Sequence, residues 1–183
     1  MKGAGMKRLL PLQALGILLL LAAPIVAQDA NELKAGDPET RKLMEDASRF
    51  FLDGDYKRAI PPYQKALDRE KTKQTLSQSL WRVLVDNLGM SYGISGDLEK
   101  AKDTFEYGLS KDPKYPMFHY NMACTYGEMN DPDKAIVYLK QAFSYKENMI
   151  KGEKMPDPWE DSSFQRFMSN EKFVAALREI TGK

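Results

Sequence analysis

Apolar side chains recur at helical spacing along most of this chain from residue 41 onward, and short polar turns interrupt the pattern. Three of the turns begin the same phrase: GDYKRAIPPYQKAL from Gly54, GDLEKAKDTFEYGL from Gly96 and NDPDKAIVYLKQAF from Asn130. Each copy has an aspartate, a small residue four positions later, a bulky apolar residue and a second small residue. Small residues let two helices approach closely, and a hairpin that cannot bury its face alone stacks on its neighbours. The pattern therefore predicts an all-α solenoid of helical hairpins.

The predicted helices differ in regularity from one hairpin to the next. The first hairpin is expected to become helical at Arg41, and its second helix to span residues 56–69. Pro61 and Pro62 lie inside that second helix and favour a kink, because each removes a backbone donor. The second phrase starts 42 residues after the first, and the third starts 34 residues after the second. The eight additional residues are expected to lengthen the first helix of the second hairpin, which would start near Thr75.

The C-terminal part of the chain has a different pattern. Helical periodicity fails over residues 146–159, where one glycine and two prolines indicate a loop, assigned to 150–160. Two short helices, 162–168 and 171–180, fit the remaining sequence. A solenoid needs a cap with a polar outer face at its open end, so residues 161–183 are predicted to be capping helices.

The N-terminus differs from the rest of the chain. Three basic residues among the first eight precede an apolar run over residues 9–21, and small residues follow it up to Ala27. This order is typical of a secretory signal peptide. Residues 1–27 are therefore predicted to be a signal peptide, and the polar residues 28–39 a flexible lead-in.

An uncleaved membrane anchor is the alternative for this segment. Residues 9–27 could just span a hydrocarbon layer of ~30 Å. Two prolines and a glutamine within the segment weaken a spanning helix, and no basic cluster follows Ala27. We therefore expect an exported protein, periplasmic or secreted, that associates with a membrane only if residues 9–27 are retained.

Charge and cysteine content narrow the class of protein. The chain has 27 basic and 26 acidic residues, and removal of residues 1–27 with their three basic side chains leaves 24 against 26. This balance gives no general reason to bind nucleic acid. Cys124 is the only cysteine, so an exported form has no internal disulfide and must be stabilised by packing.

The predicted hairpins resemble tetratricopeptide repeats, whose period is 34 residues. When the second and third copies are aligned at Arg82 and Pro116, small residues occupy the family's positions eight and twenty. These small residues are Gly89, Ala123, Ala101 and Ala135. The resemblance covers residues 40–149, as the repeats 40–73, 82–115 and 116–149.

The resemblance implies a right-handed α-solenoid of about three hairpins, whose concave groove is lined by the first helix of each hairpin. It places Asn87 and Asn121 in that groove, at the same repeat position. The other groove residues expected to contact a ligand are Asp86, Met90, Met117, Tyr120 and Phe51. Side-chain amides can donate to and accept from the backbone of an extended peptide. Bonding of these amides to a neighbouring helix is the alternative, and the sequence leaves both open.

Residues with catalytic or ligand-binding chemistry are sparse in this sequence. His119 is the only histidine, and Cys124, five residues later, does not lie on the same helical face as a catalytic pair would require. No group of cysteines and histidines has metal-ligand spacing, and no glycine-rich phosphate loop is present. We therefore expect a protein that is not an enzyme and holds no cofactor or metal.

The leading interpretation is an exported, non-enzymatic adaptor or scaffold that binds a peptide segment of a partner protein in its concave groove. The alternative is a membrane-anchored structural scaffold that assembles through its convex face or its ends. A groove of mixed apolar and acidic side chains, such as Asp86 and Met117, favours an apolar or slightly basic ligand segment.

Overall fold

The computed structural model describes residues 36–183. The predicted signal peptide and residues 28–35 of the predicted lead-in lie outside these described residues. In chain order the α-helices are α1 (Pro38–Leu52), α2 (Tyr56–Thr72), α3 (Gln78–Ile94), α4 (Leu98–Lys111), α5 (Pro116–Glu128), α6 (Pro132–Ser144) and α7 (Glu171–Thr181).

The first six helices form three hairpins that stack on one another. α1 packs on α2, α3 on α4 and α5 on α6, and the second helix of each hairpin also contacts the first helix of the next. α3 contacts both α1 and α5, so that the first helices of the three hairpins form one layer. α7 packs against α6 at the end of the stack. The described residues therefore form an all-α solenoid of hairpins with a C-terminal helix on its last member.

The repeated phrase forms the same arrangement at each hairpin turn. Its aspartate accepts a hydrogen bond from the backbone N–H of the basic residue three positions later, which caps the second helix. The basic side chain pairs with that aspartate and lies 4.2 to 5.4 Å from the centroid of an aromatic ring at the end of the preceding helix. The three sets are Asp55–Arg58–Phe50, Asp97–Lys100–Tyr92 and Asp131–Lys134–Tyr126.

The small residues of the phrase allow close contact between neighbouring helices. The first small residue of each copy is completely buried. A Cβ atom built on Gly89 would lie 2.5 Å from the ring of Phe105, and one on Gly108 would lie 2.8 Å from the ring of Phe118. Both rings therefore pack directly against a helix backbone, which a larger residue would prevent. The fully buried alanines are Ala59, Ala101 and Ala135.

The helix α2 continues through both of its prolines. It spans Tyr56–Thr72, three residues beyond the predicted end. Pro61 and Pro62 each remove one backbone donor from the helix. Tyr63 and Ala66, both completely buried, hold the same helix against its neighbours. Tertiary packing therefore outweighs the unfavourable local effect of the prolines.

Two other helices begin at positions that the periodicity did not predict. α1 begins at Pro38, three residues earlier than expected, because Asp37 caps it by accepting hydrogen bonds from two backbone N–H groups of the first turn. The end of the predicted lead-in is therefore helical. α3 begins at Gln78 rather than near Thr75, since the hydroxyl of Ser77 accepts from the N–H of Leu80 and fixes the start there.

The C-terminal region has one α-helix where two were expected. The predicted helix over 162–168 is a 3₁₀ turn at Gln165–Phe167, because this stretch makes backbone bonds between residues three positions apart. α7 spans Glu171–Thr181, with Asn170 as its cap. The apolar side chains of this region form a cluster with α6. They are Phe164, Phe167, Phe173 and Leu177, which pack with Ala135, Leu139 and Ala142.

Candidate functional site

The helix α5 is enclosed on all sides. Every residue from Pro116 to Ala123 is buried, including those expected to face an open groove. Met117 and Tyr120 lie at two such positions, and each is only 2% exposed. α5 contacts α3, α4 and α6 on its other sides. A helix that is apolar and buried all round must also be covered on its inner face.

The covering element is residues 148–163 of the same chain, which we name the return segment. It follows α6 and contains no α-helix. At its start, Nη1 of Arg82 on α3 donates to the carbonyl oxygen of Asn148 at 3.1 Å. The hydroxyl of Tyr115, next to the start of α5, donates to Oε1 of Glu153 at 2.7 Å. The first half of the return segment therefore lies at the N-terminal ends of α3 and α5.

The second half of the return segment contacts the middle and the end of α5. Oδ2 of Asp161 accepts from the hydroxyl of Tyr120 at 3.0 Å and lies 3.6 Å from Sγ of Cys124. The backbone at Ser163 lies close to Gly127, where an added Cβ would be 2.7 Å from the carbonyl oxygen. The contacts follow one another in the order of both sequences, so the return segment runs parallel to α5 along its inner face.

Apolar side chains of the return segment join the two hydrophobic clusters of the solenoid. Ile150 is 9% exposed and belongs to the cluster that contains Met117. Met155 and Trp159 are partly buried and pack against the cluster that contains Tyr120. The return segment is therefore held by apolar contacts between its two hydrogen-bonded carboxylates.

A buried carboxyl lies beneath this segment. Asp86 on α3 is 1% exposed, and its Oδ1 accepts from Nδ2 of Asn121 on α5 at 2.6 Å. Its other oxygen has no hydrogen-bond partner among the described residues. Burial is the main cause that raises the pKa of Asp86 to about 8, the charge of Glu153 raises it further, and the bond from Asn121 opposes both. Asp86 is therefore largely protonated near pH 7.

The second predicted amide also bonds within the protein. Asn87 is 1% exposed, and its Nδ2 donates to the hydroxyl of Tyr63 on α2 at 3.0 Å. That hydroxyl is also 3.0 Å from Oγ of Ser48 on α1. The amides of Asn87 and Asn121 thus both bond to a neighbouring helix, which is the alternative that the sequence left open. Contact of either amide with a partner's peptide stays a prediction.

The predicted site residues divide into two groups in the structure. Asp86, Met117, Tyr120 and Asn121 come together on the inner face of α3 and α5, where the return segment lies. Phe51 lies next to Tyr63, the hydrogen-bond partner of Asn87. The two rings pack edge-on with their centroids 6.4 Å apart, and Phe51 is 4% exposed. Met90 is half-buried, so it alone of the predicted residues keeps substantial contact with solvent.

Four polar residues of this site were not predicted: Arg82, Tyr115, Glu153 and Asp161. Arg82 pairs with Asp112 at 2.7 Å, and its guanidinium lies 4.5 Å from the centroid of the Tyr115 ring. Burial raises the pKa of Tyr115, so this phenol remains a hydrogen-bond donor. Burial also raises the pKa of Glu153, although the hydrogen bonds that it accepts act in the opposite direction. The two carboxylates lie in the aperiodic part of the sequence, where no pattern indicated which surface they would contact.

Other chemistry is not assembled among residues 36–183. No group of three or more potential metal ligands is present in this range, and none of its helices is long and apolar enough to cross a membrane. His119 is 6% exposed, its Nε2 lies 2.8 Å from the carbonyl oxygen of Pro113, and burial lowers its pKa. It packs beside the rings of Tyr138 and Tyr145.

Comparison with known proteins agrees with this geometry. A family model described as a tetratricopeptide repeat matches residues 104–137. Two solved structures share the fold: the Sgt2 TPR domain from Aspergillus fumigatus, with a TM-score of 0.55 and 20% identity, and PcrH from Pseudomonas aeruginosa, with 0.54 and 17%. The first similarity covers 83% of this chain and 87% of that one, and the second covers 80% and 94%.

The chain contains a tetratricopeptide repeat (TPR) at residues 104–137 and has the fold of TPR proteins. It is also 31% identical over 74 residues to the photosystem I assembly protein Ycf3 from two strains of Prochlorococcus marinus. Each match covers 40% of this chain and 40% of the relative, so the TPR protein spans less than half the length of these relatives. TPR proteins typically act as non-catalytic scaffolds that bind protein partners, and the fold supports such a role here.

Proposed function

We propose that this TPR protein is an exported, non-enzymatic adaptor that holds a peptide segment of a partner protein against the inner face of α3 and α5. One observation carries the proposal: this face already holds a non-helical stretch of polypeptide, the return segment. Recognition of an extended segment needs pockets for side chains and groups that fix its register. The apolar surface beside Met117 supplies the first, and the hydroxyls of Tyr115 and Tyr120 supply the second.

The similarity to proteins with an assembly role supports the same class of function. The Prochlorococcus relatives are named as assembly proteins. A protein that assists assembly must hold its client without consuming it, which suits a binding surface without catalytic groups. We infer the same adaptor role for this protein, and the crosslinking experiment below identifies its client.

Site-specific photo-crosslinking tests where the partner binds. A crosslinking amino acid is placed at Met90, which is half-buried on α3, and in a matched variant at Val137, which is 52% exposed on α6. We expect one partner from the native extract to crosslink from position 90 and not from position 137. Circular dichroism of both variants checks that the helices are retained. Crosslinks from position 137 alone would reject groove binding and favour the scaffold that acts through its convex face.

Export is the second part of the proposal, and the signal-like sequence of residues 1–27 supports it. We expect the exported protein to have the intact mass of residues 28–183. A mass that includes residues 1–27, together with resistance to carbonate extraction, would instead establish the membrane-anchored form.

A further inference from the structure

The inner face of the solenoid presents hydrogen-bond donors to the return segment. The hydroxyls of Tyr115 and Tyr120 donate to the carboxylates of Glu153 and Asp161. Burial raises the pKa of Glu153, and the hydrogen bonds that it accepts and the guanidinium of Arg82, itself paired with Asp112, act in the opposite direction and favour the carboxylate form. Charge-assisted bonds of this kind are stronger than neutral ones. The face therefore favours segments that supply carboxylate oxygens at two points.

The acidic residue of the face does not oppose a carboxylate ligand. Asp86 is the predicted groove residue with a negative charge in its ionised form, but it is largely protonated near pH 7 in this environment. A neutral Asp86 leaves the phenols and Arg82 to determine the electrostatic preference of the surface. The expectation of an apolar or slightly basic ligand counted Asp86 among the acidic groove residues, and a protonated Asp86 gives no reason to prefer a basic segment.

The residues between the two carboxylates define the rest of the ligand. Glu153 and Asp161 are eight positions apart, and the chain between them places Met155 and Trp159 against the apolar surface. Ile150 adds an apolar contact just before the first carboxylate. Lys154, Asp157 and Glu160 also lie between the two carboxylates, but neither acidic residue among them bonds to Tyr115 or Tyr120. At the face, the return segment therefore presents a carboxylate, two apolar side chains and a second carboxylate, which we name its acidic–apolar–acidic chemistry.

The backbone of the return segment makes few hydrogen bonds to other backbone groups, and those between described residues are within the segment or to residues next to it in sequence. Within it, the backbone bonds are single turn contacts, such as that from the N–H of Glu153 to the carbonyl of Ile150 at 2.9 Å. Lys151, Gly152 and Lys154 are exposed, and Gly152 has a φ of 95°, a conformation that favours glycine. Segments held by few backbone bonds open at a lower free-energy cost than whole helices. We therefore expect the return segment to leave the face at a lower free-energy cost than unfolding of the three hairpins.

We propose that the return segment is a built-in ligand of the TPR groove, and that a partner segment of the same acidic–apolar–acidic chemistry binds by displacing it. The inference rests on the proposed function, because it assigns the ligand class of the same groove. A ligand tethered in the same chain acts at an effective concentration on the order of millimolar. The tethered segment therefore lowers the apparent affinity for a partner and restricts binding to segments that match its chemistry.

The test uses the full chain and a fluorescent synthetic peptide of residues 148–163 added in trans. In the opened variant, Glu153→Ala with Asp161→Ala, the tethered competitor loses the two carboxylates that bond to the face, while every residue of α3 and α5 is kept. We expect this variant to bind the peptide at least about tenfold more tightly than the unsubstituted chain, since a tethered competitor at millimolar effective concentration has been weakened. The control Lys154→Ala, an exposed position in the same segment, is expected to bind like the unsubstituted chain.

A second measurement does not depend on the folding of the opened variant. In the unsubstituted chain, excess peptide is expected to speed hydrogen–deuterium exchange within residues 148–163 and to leave exchange in the six hairpin helices unchanged. A peptide with alanine in place of Glu153 and Asp161 is expected to have a smaller effect. Unchanged exchange with the native peptide, together with equal affinity of a folded opened variant and the unsubstituted chain, would overturn the inference.

Two further outcomes separate this inference from the proposed function. If the partner crosslinks from position 90 at the same concentration in the opened and closed chains, displacement is overturned while the adaptor function stands. If the peptide displaces the segment but no partner crosslinks from position 90 in either chain, the built-in ligand stands and the proposed function fails. Crosslinking of the partner at about tenfold lower concentration in the opened variant supports both.

Discussion

The side-chain amide of Asn121 on α5 donates a 2.6 Å hydrogen bond to Oδ1 of Asp86 on α3. The bond joins the first helices of the second and third hairpins beneath the return segment. Asp86 is 1% exposed, and its pKa is raised to about 8, first by burial and then by the charge of Glu153. Ionisation of this carboxyl therefore opposes folding, because an ionised group without full compensation is costly to bury.

The stability of the protein is expected to decrease as the pH rises from about 5 to about 9. A carboxyl with a pKa near 8 in the folded chain and about 4 in the unfolded chain binds more protons when folded, so the free energy of unfolding decreases across this interval. Glu153, whose pKa is also raised, acts in the same direction. Exposed aspartates with lowered pKa values, such as Asp97 and Asp131, act at more acidic pH and in the opposite sense. His119, whose pKa is lowered by burial, also acts in the opposite sense up to about pH 6.5, and the larger shift of Asp86 outweighs it.

The variant Asp86→Asn tests this assignment. The substitution keeps an oxygen acceptor for Asn121 and removes the ionisable group. We expect it to be more stable than the unsubstituted chain by about 1 to 3 kcal/mol at pH 9 and to lose most of the difference at pH 5. Urea denaturation at several pH values measures both. Parallel stability profiles of the two proteins would show that Asp86 does not titrate in this interval.

The two groove asparagines are expected to contribute to stability. Asn121→Ala leaves Asp86 without its hydrogen-bond donor, and Asn87→Ala leaves the hydroxyl of Tyr63 with Ser48 alone. Loss of a partner by a buried polar group costs about 1 to 3 kcal/mol, so each variant should unfold at a lower urea concentration.

A double-mutant cycle of Asn121→Ala with Asp86→Ala separates the bond from other effects. We expect a coupling energy of about 0.5 to 3 kcal/mol for this pair and close to zero for Asn87→Ala with Asp86→Ala. A coupling near zero for both pairs would contradict the importance of the observed bond. Binding studies of these variants must take their stability into account. A destabilised asparagine variant can lose affinity for a partner even if the asparagine side chain does not contact that partner.

Much of the solenoid could be predicted because its signals are local. The aspartate caps, the basic residue three positions later and the small residues all recur within one phrase, such as that from Gly96, and each acts on its own hairpin. The position of the return segment could not be predicted in this way. Glu153 and Asp161 bond to Tyr115 and Tyr120, which lie 38 and 41 positions earlier, and no periodicity links such pairs.

The burial of the candidate site could not be predicted either, because it depends on long-range contacts. The repeat register placed Asp86 and Asn121 on facing helices, and the structure brings them into direct contact. The same register predicted that these side chains are exposed in a groove. The repeat pattern contains no information about the path of the chain after α6, where the return segment covers them. The helix that contains Pro61 and Pro62 extends three residues beyond its predicted end for a related reason: the packing of Tyr63 outweighs local propensity.

Two glycines at the same repeat position provide a matched test of the return segment's contact with α5. A Cβ on Gly127 would lie 2.7 Å from the backbone carbonyl of Ser163, whereas a Cβ on Gly93 would meet only the Cβ of Ala101 at 3.6 Å. We expect Gly127→Ala to push the segment away and destabilise the protein by about 1 to 3 kcal/mol. Gly93→Ala is expected to be neutral or to stabilise by up to about 1 kcal/mol through helix propensity.

Hydrogen–deuterium exchange shows whether the effect is local. In Gly127→Ala, exchange within residues 148–163 should increase more than exchange in α1 and α2. Equal thermal stability of the two alanine variants, with unchanged exchange in the return segment, would mean that the segment does not pack on α5 in solution as the structure shows.

The loss of the ion pair between Arg82 and Asp112 is expected to lower the free energy of unfolding far more than the loss of an ion pair at the surface. Its atoms lie 2.7 Å apart, and the two side chains are only 13% and 11% exposed. The variant Arg82→Met leaves Asp112 buried with Gln78 as its other side-chain partner, at 2.9 Å. Removal of one member of a buried pair is strongly destabilising, here by about 3 kcal/mol, because the other charge stays unpaired.

The exposed pair of Lys172 with Asp133 is the control for this comparison. Those side chains are 74% and 70% exposed, so Lys172→Ala should change the free energy of unfolding by less than about 1 kcal/mol. Arg82 also donates to the carbonyl of Asn148, so Arg82→Met should in addition speed hydrogen exchange at the start of the return segment. The further variant Arg82→Met with Asp112→Asn should recover part of the stability, since it removes the unpaired charge. Recovery without renewed protection of the return segment would show that Arg82 holds the segment separately from its role in the ion pair.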